Sequence, residues 1–379
     1  VKVVLRGATN VWFADTRSSI SIPVDDISTR RKIIGILNEW FDTLNASRTN
    51  GQFDRNYINM FAVKNGVNAD ELYQAFVDRA NNMMSNEDVN ENTSEDEYRL
   101  QEYKVLCKTS GSDAMDFHSI NYPIAEYNPI IHKYFKSISL VPKLRETRAF
   151  VGFSRLEPNE KTVSERKKEL RLGSKEDWLP AVEVYGEGIF FQFDGKNLEK
   201  WAQQKSVKKR IDTLNASYHR SKFGKKTLGD LRPEFVLIHT FAHLVINQLS
   251  FDCGYGSSSI RERIYCEKTT NSLGMYGLLI YTASGDSEGS LGGLVRQGEM
   301  GRLEDTIINA IENATWCTSD PICIQSSGQG PESLNLAACH NCALLPETSC
   351  ENGNRLLDRG AVVGTLQDTD IGFFREIRN

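Results

Sequence analysis

The chain lacks several things that would fix its class at once. No apolar run reaches the roughly 20 residues of a membrane-spanning helix, so no anchor is read in its 379 residues. No Gly-x-x-x-x-Gly-Lys-Ser/Thr run is present, which removes the phosphate cradle of a P-loop nucleotide-hydrolysing engine. The opening Val1-Lys-Val-Val-Leu-Arg6 has neither the apolar stretch of a signal peptide nor an initiator Met. Residue 1 is therefore expected to lie inside a longer chain. There is no excess of positive charge: the net value is −5, so any nucleic-acid surface must be local. With 40% hydrophobic and 25% charged residues, the remainder is ordinary, and the length allows two or three cores.

What is present is uneven. Five of the eight cysteines crowd into one stretch, Cys317, Cys323, Cys339, Cys342 and Cys350. Cys339-His-Asn-Cys342 has the two-residue spacing of a zinc knuckle, which aims two thiolates at one point. Cys350 and either Cys323 or Cys317 complete a tetrahedral set. Cys323 is preferred because it lies nearer the knuckle, and Cys317 stays the alternative. Zinc of this all-sulfur kind is structural, because four thiolates leave no open coordination position. It also closes a segment, 319–337, with too little apolar content to fold alone. His340 is a spacer. Cys107, Cys253 and Cys266 are scattered and read as ordinary thiols. Zinc in preference to disulfides places the protein in a reducing cytoplasm.

The periodicity predicts a mixed α/β (α+β) protein of more than one domain. Residues 1–23 are β-like. Helices are expected from Asp25, where Ile33, Ile36, Leu37 and Phe41 recur at helical spacing, and over Asp70–Met84, Leu198–Leu214, Arg232–Ser250 and Glu299–Ala314. Strands are expected at Arg148–Arg155 and Met275–Tyr281. A hairpin is expected at Val182–Tyr185 and Ile189–Phe193, turning at Gly186-Glu-Gly188. The acidic stretch 86–97 reads as a solvated loop. The expected division is an N-terminal mixed helical region, 1–145, and an α/β domain, 146–379, holding the zinc site at 317–350.

Three further features bear on function. Lys205, Lys208, Lys209, Arg210, Arg220, Lys222, Lys225 and Lys226 form a basic stripe in which Asp212 is nearly the only acid. Such a stripe is the form that local phosphate binding takes, against the plain alternative of a solvated helix face. Tyr218, His219 and Phe223 offer rings for stacking on bases. A second basic group, from Lys161 to Lys175, is diluted by glutamates. His239-Thr-Phe-Ala-His243 puts two imidazoles on one helix face, but Thr240 stands where a metalloprotease has its Glu. Packed, hydrogen-bonded histidines are the reading preferred. Asp286 and Glu288 lie in a glycine-rich loop after a buried strand. With His239 and His243 they define a rival reading, a hydrolase or nuclease site.

The wording of several segments resembles the DrmB proteins of bacterial DISARM anti-phage systems. These are Arg6-Gly-Ala-Thr-Asn-Val-Trp-Phe13, Ser18-Ser-Ile-Ser-Ile-Pro23, Val151–Pro158, Gly186–Phe190, His239–His243, Ile280–Leu294 and Ala338–Cys350. The C-terminal part is also similar to the accessory domain that ends MrfA-like repair helicases, where four cysteines hold zinc. In that pattern Cys339, Cys342 and Cys350 match, and the fourth position matches less cleanly. The resemblance implies a non-enzymatic zinc subunit that forms a heterodimer with a superfamily 2 helicase of the DrmA type and helps bind phage DNA, with the ATPase motor in the partner. A scaffold with no DNA contact is the further alternative.

Overall fold

The computed structural model describes residues 13–23, 25–46, 48–49, 51–82, 95–154, 178–221, 230–266, 274–282 and 293–378. The described residues fall into two units, one of Ile22–Glu95 and one of Val1–Ser21 with Asp96–Asn379. The boundary expected at 145–146 therefore falls inside a strand rather than between units.

In chain order the larger unit begins with β1 (Phe13–Ile20). The smaller unit holds α1 (Asp25–Ala46), α2 (Arg55–Asn65) and α3 (Ala69–Asn82). Asp54 caps α2 by accepting from Asn56 N, and Gly66 ends it in the left-handed region at φ 61°. Phe41, Phe53 and Phe76 meet between these helices. Helical spacing turns Phe41 and Phe76 inward from α1 and α3, and Phe53 joins them from the segment before α2.

The larger unit resumes with α4 (Glu95–Leu106), β2 (Ser112–Ala114), β3 (Phe117–Pro123), β4 (Phe135–Ser154) and β5 (Ala181–Phe193). Then come α5 (Gly195–Ala202), α6 (Lys205–Arg220), α7 (Pro233–Cys253), β6 (Ile260–Tyr265) and β7 (Gly277–Thr282). It closes with α8 (Gly293–Gln297), α9 (Leu303–Asn313) and α10 (Arg359–Val363). The strands form one antiparallel sheet, ordered β2-β3-β4-β5-β7-β6, with β1 on the far part of β4. Mixed helix and sheet with a cysteine-rich C-terminal end is the architecture expected.

Against the sheet lies α7, apolar all round and therefore a core helix rather than a surface one. Pro233 opens it, and Gly254, at φ 72°, ends it. Phe241 on α7 packs among Phe135, Phe191, Phe193 and Phe374, with ring centroids 4.9–5.8 Å apart. Buried charges beside the sheet are paired. Glu146, fully buried, takes Arg148, Arg261 and the Tyr281 hydroxyl. Arg263 meets Glu102 through two nitrogens at 2.7 and 2.9 Å.

Three expectations differ from what folds. The hairpin at Gly186–Gly188 is one unbroken strand, β5. Gly188 lies where β7 passes so close that a Cβ would sit 2.9 Å from Ile280 O, so glycine serves strand packing there, not a turn. Glu187 is buried between them and accepts the backbone N–H groups of Leu294 and Val295. The helix expected over Leu198–Leu214 is two, α5 and α6, broken at Gln203–Gln204. The acidic loop expected over 86–97 lies outside the described residues up to 94, and from Glu95 the chain is helical.

Candidate zinc centre and basic helix

Two loops build the cysteine cluster. The first leaves α9 and turns through Cys317–Cys323. Asp320 organises it: one carboxylate oxygen accepts Cys317 N at 2.9 Å, the other Ile324 N at 3.0 Å. The second is the knuckle, where the amides of Cys342, Ala343 and Leu344 all donate to Cys339 O at 3.0–3.2 Å. That winding brings both knuckle sulfurs to one side.

Cys317, Cys323, Cys339 and Cys342 place their sulfurs within 4.8 Å of one another. The Cys317–Cys339, Cys339–Cys342 and Cys323–Cys342 separations are 3.5, 3.7 and 3.8 Å. A tetrahedron with Zn–S bonds of about 2.3 Å has edges of about 3.8 Å. The donor set therefore fits a closed structural zinc ion. Backbone and side-chain donors point at the sulfurs, as thiolates require: Ser319 N to Cys317, Gln329 Nε2 to Cys323 and Cys339 N to Cys342.

Zinc with four thiolates carries two negative charges, and Arg359 answers them from within the fold. Its side chain is fully buried, donating to Ala314 O at 2.8 Å and Asp320 Oδ1 at 2.6 Å. Burial opposes its charge, but Asp320 and the Cys342 and Cys323 sulfurs outweigh that and raise its pKa. His340 is exposed and outside the ligand group.

The set differs from the preferred one in a single place. Cys317 and Cys323 both belong to it, and Cys350 does not. Cys350 instead joins His239, His243 and Glu262, all buried. His239 Nε2 lies 3.2 Å from the Cys350 sulfur and 3.1 Å from Glu262 Oε1, and His243 Nε2 lies 3.6 Å from Glu262 Oε2. Burial lowers the His239 pKa and raises that of Cys350. Asp286 and Glu288, the acids of the rival hydrolase reading, lie outside the described residues, and both histidines are 0% exposed. Nothing in the sequence tied Glu262 to them. The one available sign was an acid on the inward beat of an alternating strand, Arg261-Glu-Arg263.

The basic stripe divides. On α6 the apolar side, Val207, Ile211, Leu214 and Tyr218, is buried, while Lys205, Lys208 and Lys209 are exposed opposite it, as is Arg220 at the last turn. Arg220 borders a polar hollow lined by Ser217, Ser221, Ser327, Gly328, Ser333 and the acidic Glu332. Arg210 is committed elsewhere: its fork holds buried Asp358 at 2.6 and 2.7 Å. Tyr218 is buried and offers no ring face for stacking, whereas His219 is half exposed, with its Nε2 bonded to Asp230 at 2.7 Å. Lys222, Phe223, Lys225 and Lys226 lie outside the described residues, as does the group from Lys161 to Lys175.

Comparison with known proteins agrees with this site. The model of the MrfA Zn-binding domain matches residues 241–343, which hold all four clustered thiols. Over 388 aligned positions the chain is 34% identical to the DISARM protein DrmB of Bacillus paralicheniformis, covering 98% of this chain. The chain is similar to DrmB. It spans 65% of the length of that DrmB protein. No helix among the described residues is long and apolar enough to cross a membrane.

Proposed function

We propose that this chain is a zinc-stapled, DrmB-like anti-phage protein of the cytoplasm that associates with a superfamily 2 helicase and holds phage DNA along α6. Similarity to DrmB over nearly the whole chain supports the DISARM setting. The DNA-binding half rests on one observation, the three exposed lysines Lys205, Lys208 and Lys209 opposite the buried stripe of α6. Arg220 extends that face, and Lys222, Lys225 and Lys226 continue it in sequence. Lysines of this kind bind phosphates as point charges without reading bases. No catalysis is assigned to the chain: its zinc is closed by sulfur, and its paired histidines have no solvent access. The ATPase belongs to the partner.

The experiment is DNA binding by the chain with its helicase, measured across salt concentrations. Reversing Lys205, Lys208 and Lys209 to Glu is expected to weaken binding and flatten the salt slope by about 0.9 for each phosphate no longer neutralised. An unchanged affinity and slope, with the helicase still co-purifying, leaves the scaffold reading standing and removes the DNA one.

A further inference from the structure

His239, His243, Glu262 and Cys350 come from three separate parts of the chain. The histidines are one turn apart on α7, Glu262 faces them from β6, and Cys350 closes the group from the loop beyond the knuckle. We propose that these four residues form a second metal site, distinct from the four-cysteine centre, that holds a divalent ion of the zinc class.

Geometry carries the proposal. Tetrahedral zinc with one sulfur, two nitrogens and one oxygen sets neighbouring donors about 3.3–3.6 Å apart. The three separations are 3.2, 3.1 and 3.6 Å. His243 Nδ1 donates to Ala343 O at 2.7 Å, which fixes the tautomer and leaves the Nε2 lone pair facing Glu262. An outer partner of this sort orients metal-bound imidazoles. His243 Nε2 and Glu262 Oε2 are fully buried and make no hydrogen bond among the described residues. Buried polar atoms left in this way are costly unless something else bonds them. The Cys350 sulfur accepts the backbone N–H groups of Asn352 and Asn354, both at 3.3 Å, the pattern that supports a thiolate.

Charge points the same way. Two neutral imidazoles, one carboxylate and one thiolate sum to the charge that a divalent cation cancels. A neutral assembly tolerates complete burial. The four-cysteine centre, with its net negative charge, instead needs Arg359 and keeps Cys339 and Cys342 partly exposed. With all four side chains buried, the second ion has no route for substrate, so it is structural. It ties the core helix α7 to the sheet and to the C-terminal loop.

The test is metal content and spectroscopy on the purified, metal-replete chain. Two zinc ions per chain are expected, with a zinc-edge first shell averaging about 2.5 sulfurs per zinc. His243→Ala and, separately, Glu262→Gln are expected to lose one ion and keep an all-sulfur centre. Cys317→Ser with Cys323→Ser is expected to lose the other. Cobalt loaded into that double variant then shows one thiolate's charge-transfer intensity rather than four. One zinc per chain in the unmodified protein, with four sulfurs around it, overturns the proposal and leaves the four-cysteine centre and the proposed function untouched. The wild-type count decides the matter even if a variant fails to fold.

Discussion

Replacing Arg210 with Met separates a structural clamp from a DNA contact. Arg210 sits in the basic stripe but gives its fork to Asp358 at 2.6 and 2.7 Å. Asp358 is 0% exposed and the Arg210 side chain 18%. The carboxylate also caps α10 through Gly360 N at 3.0 Å and takes Ala337 N at 3.3 Å. Removing the guanidinium leaves a buried carboxylate with backbone donors alone. Breaking a buried pair from one side costs about 3–5 kcal/mol. For a unit of this size that lowers Tm by about 5–8 °C. Gly360→Ala is expected to do likewise, because its Cβ would lie 2.7 Å from Arg210 Nη2. Thermal unfolding followed by circular dichroism reads both variants. DNA affinity of the folded Arg210→Met protein, measured well below its Tm, is expected to stay within about twofold of the parent. A Tm close to the parent's together with a roughly tenfold weaker affinity refutes the clamp and makes Arg210 a phosphate contact.

Three other outcomes follow from the same structure. Phe241→Ala empties the contact among Phe135, Phe191, Phe193 and Phe374 and is expected to cost about 3–5 kcal/mol in urea unfolding, with under about 1 kcal/mol counting against the packing described. Burial pushes Tyr103 and Tyr134 up to about 12 from an ordinary value near 10. The folded state then holds protons that the unfolded chain gives up, so the tyrosines' contribution to stability is constant below about pH 10 and is lost between about pH 10 and 12. Absorbance of the tyrosinate ion checks it: native protein in which every tyrosine ionises near its ordinary value contradicts the burial. The same burial lifts Cys107 to about 12 and Cys253 to about 11, so both are expected to react with a thiol-specific reagent at mildly alkaline pH far more slowly than in urea. Equal rates in the two states contradict this.

Much of the fold was legible because its signals were local. Helical spacing of Ile33, Ile36, Leu37 and Phe41 located α1, and an apolar run after Pro233 located α7. Gly186 and Gly188 misled because a glycine in a strand and a glycine in a turn look alike until the neighbouring strand is placed. Gln203–Gln204 gave no sign of a helix break, since neither residue is a strong breaker. At the site, the knuckle spacing pointed straight to Cys339 and Cys342. Distance along the chain favours Cys323 over Cys317, with Cys350 taken as the fourth ligand. Folding sets it otherwise: Asp320 turns the 317–323 loop so that both its sulfurs face the knuckle, and Cys350 is carried to α7 by the loop that ends in Asn354. Glu262, Asp358 and Arg359 were out of reach because their partners are 23 to 148 residues away.

Zinc K-edge absorption of the His243→Ala protein tests the four-cysteine centre most directly. The account predicts one zinc per chain surrounded by four sulfurs at about 2.3 Å. It further predicts that adding Cys350→Ser leaves that shell intact while adding Cys317→Ser disrupts it. A shell containing nitrogen or oxygen, or a sulfur removed on adding Cys350→Ser rather than Cys317→Ser, contradicts it.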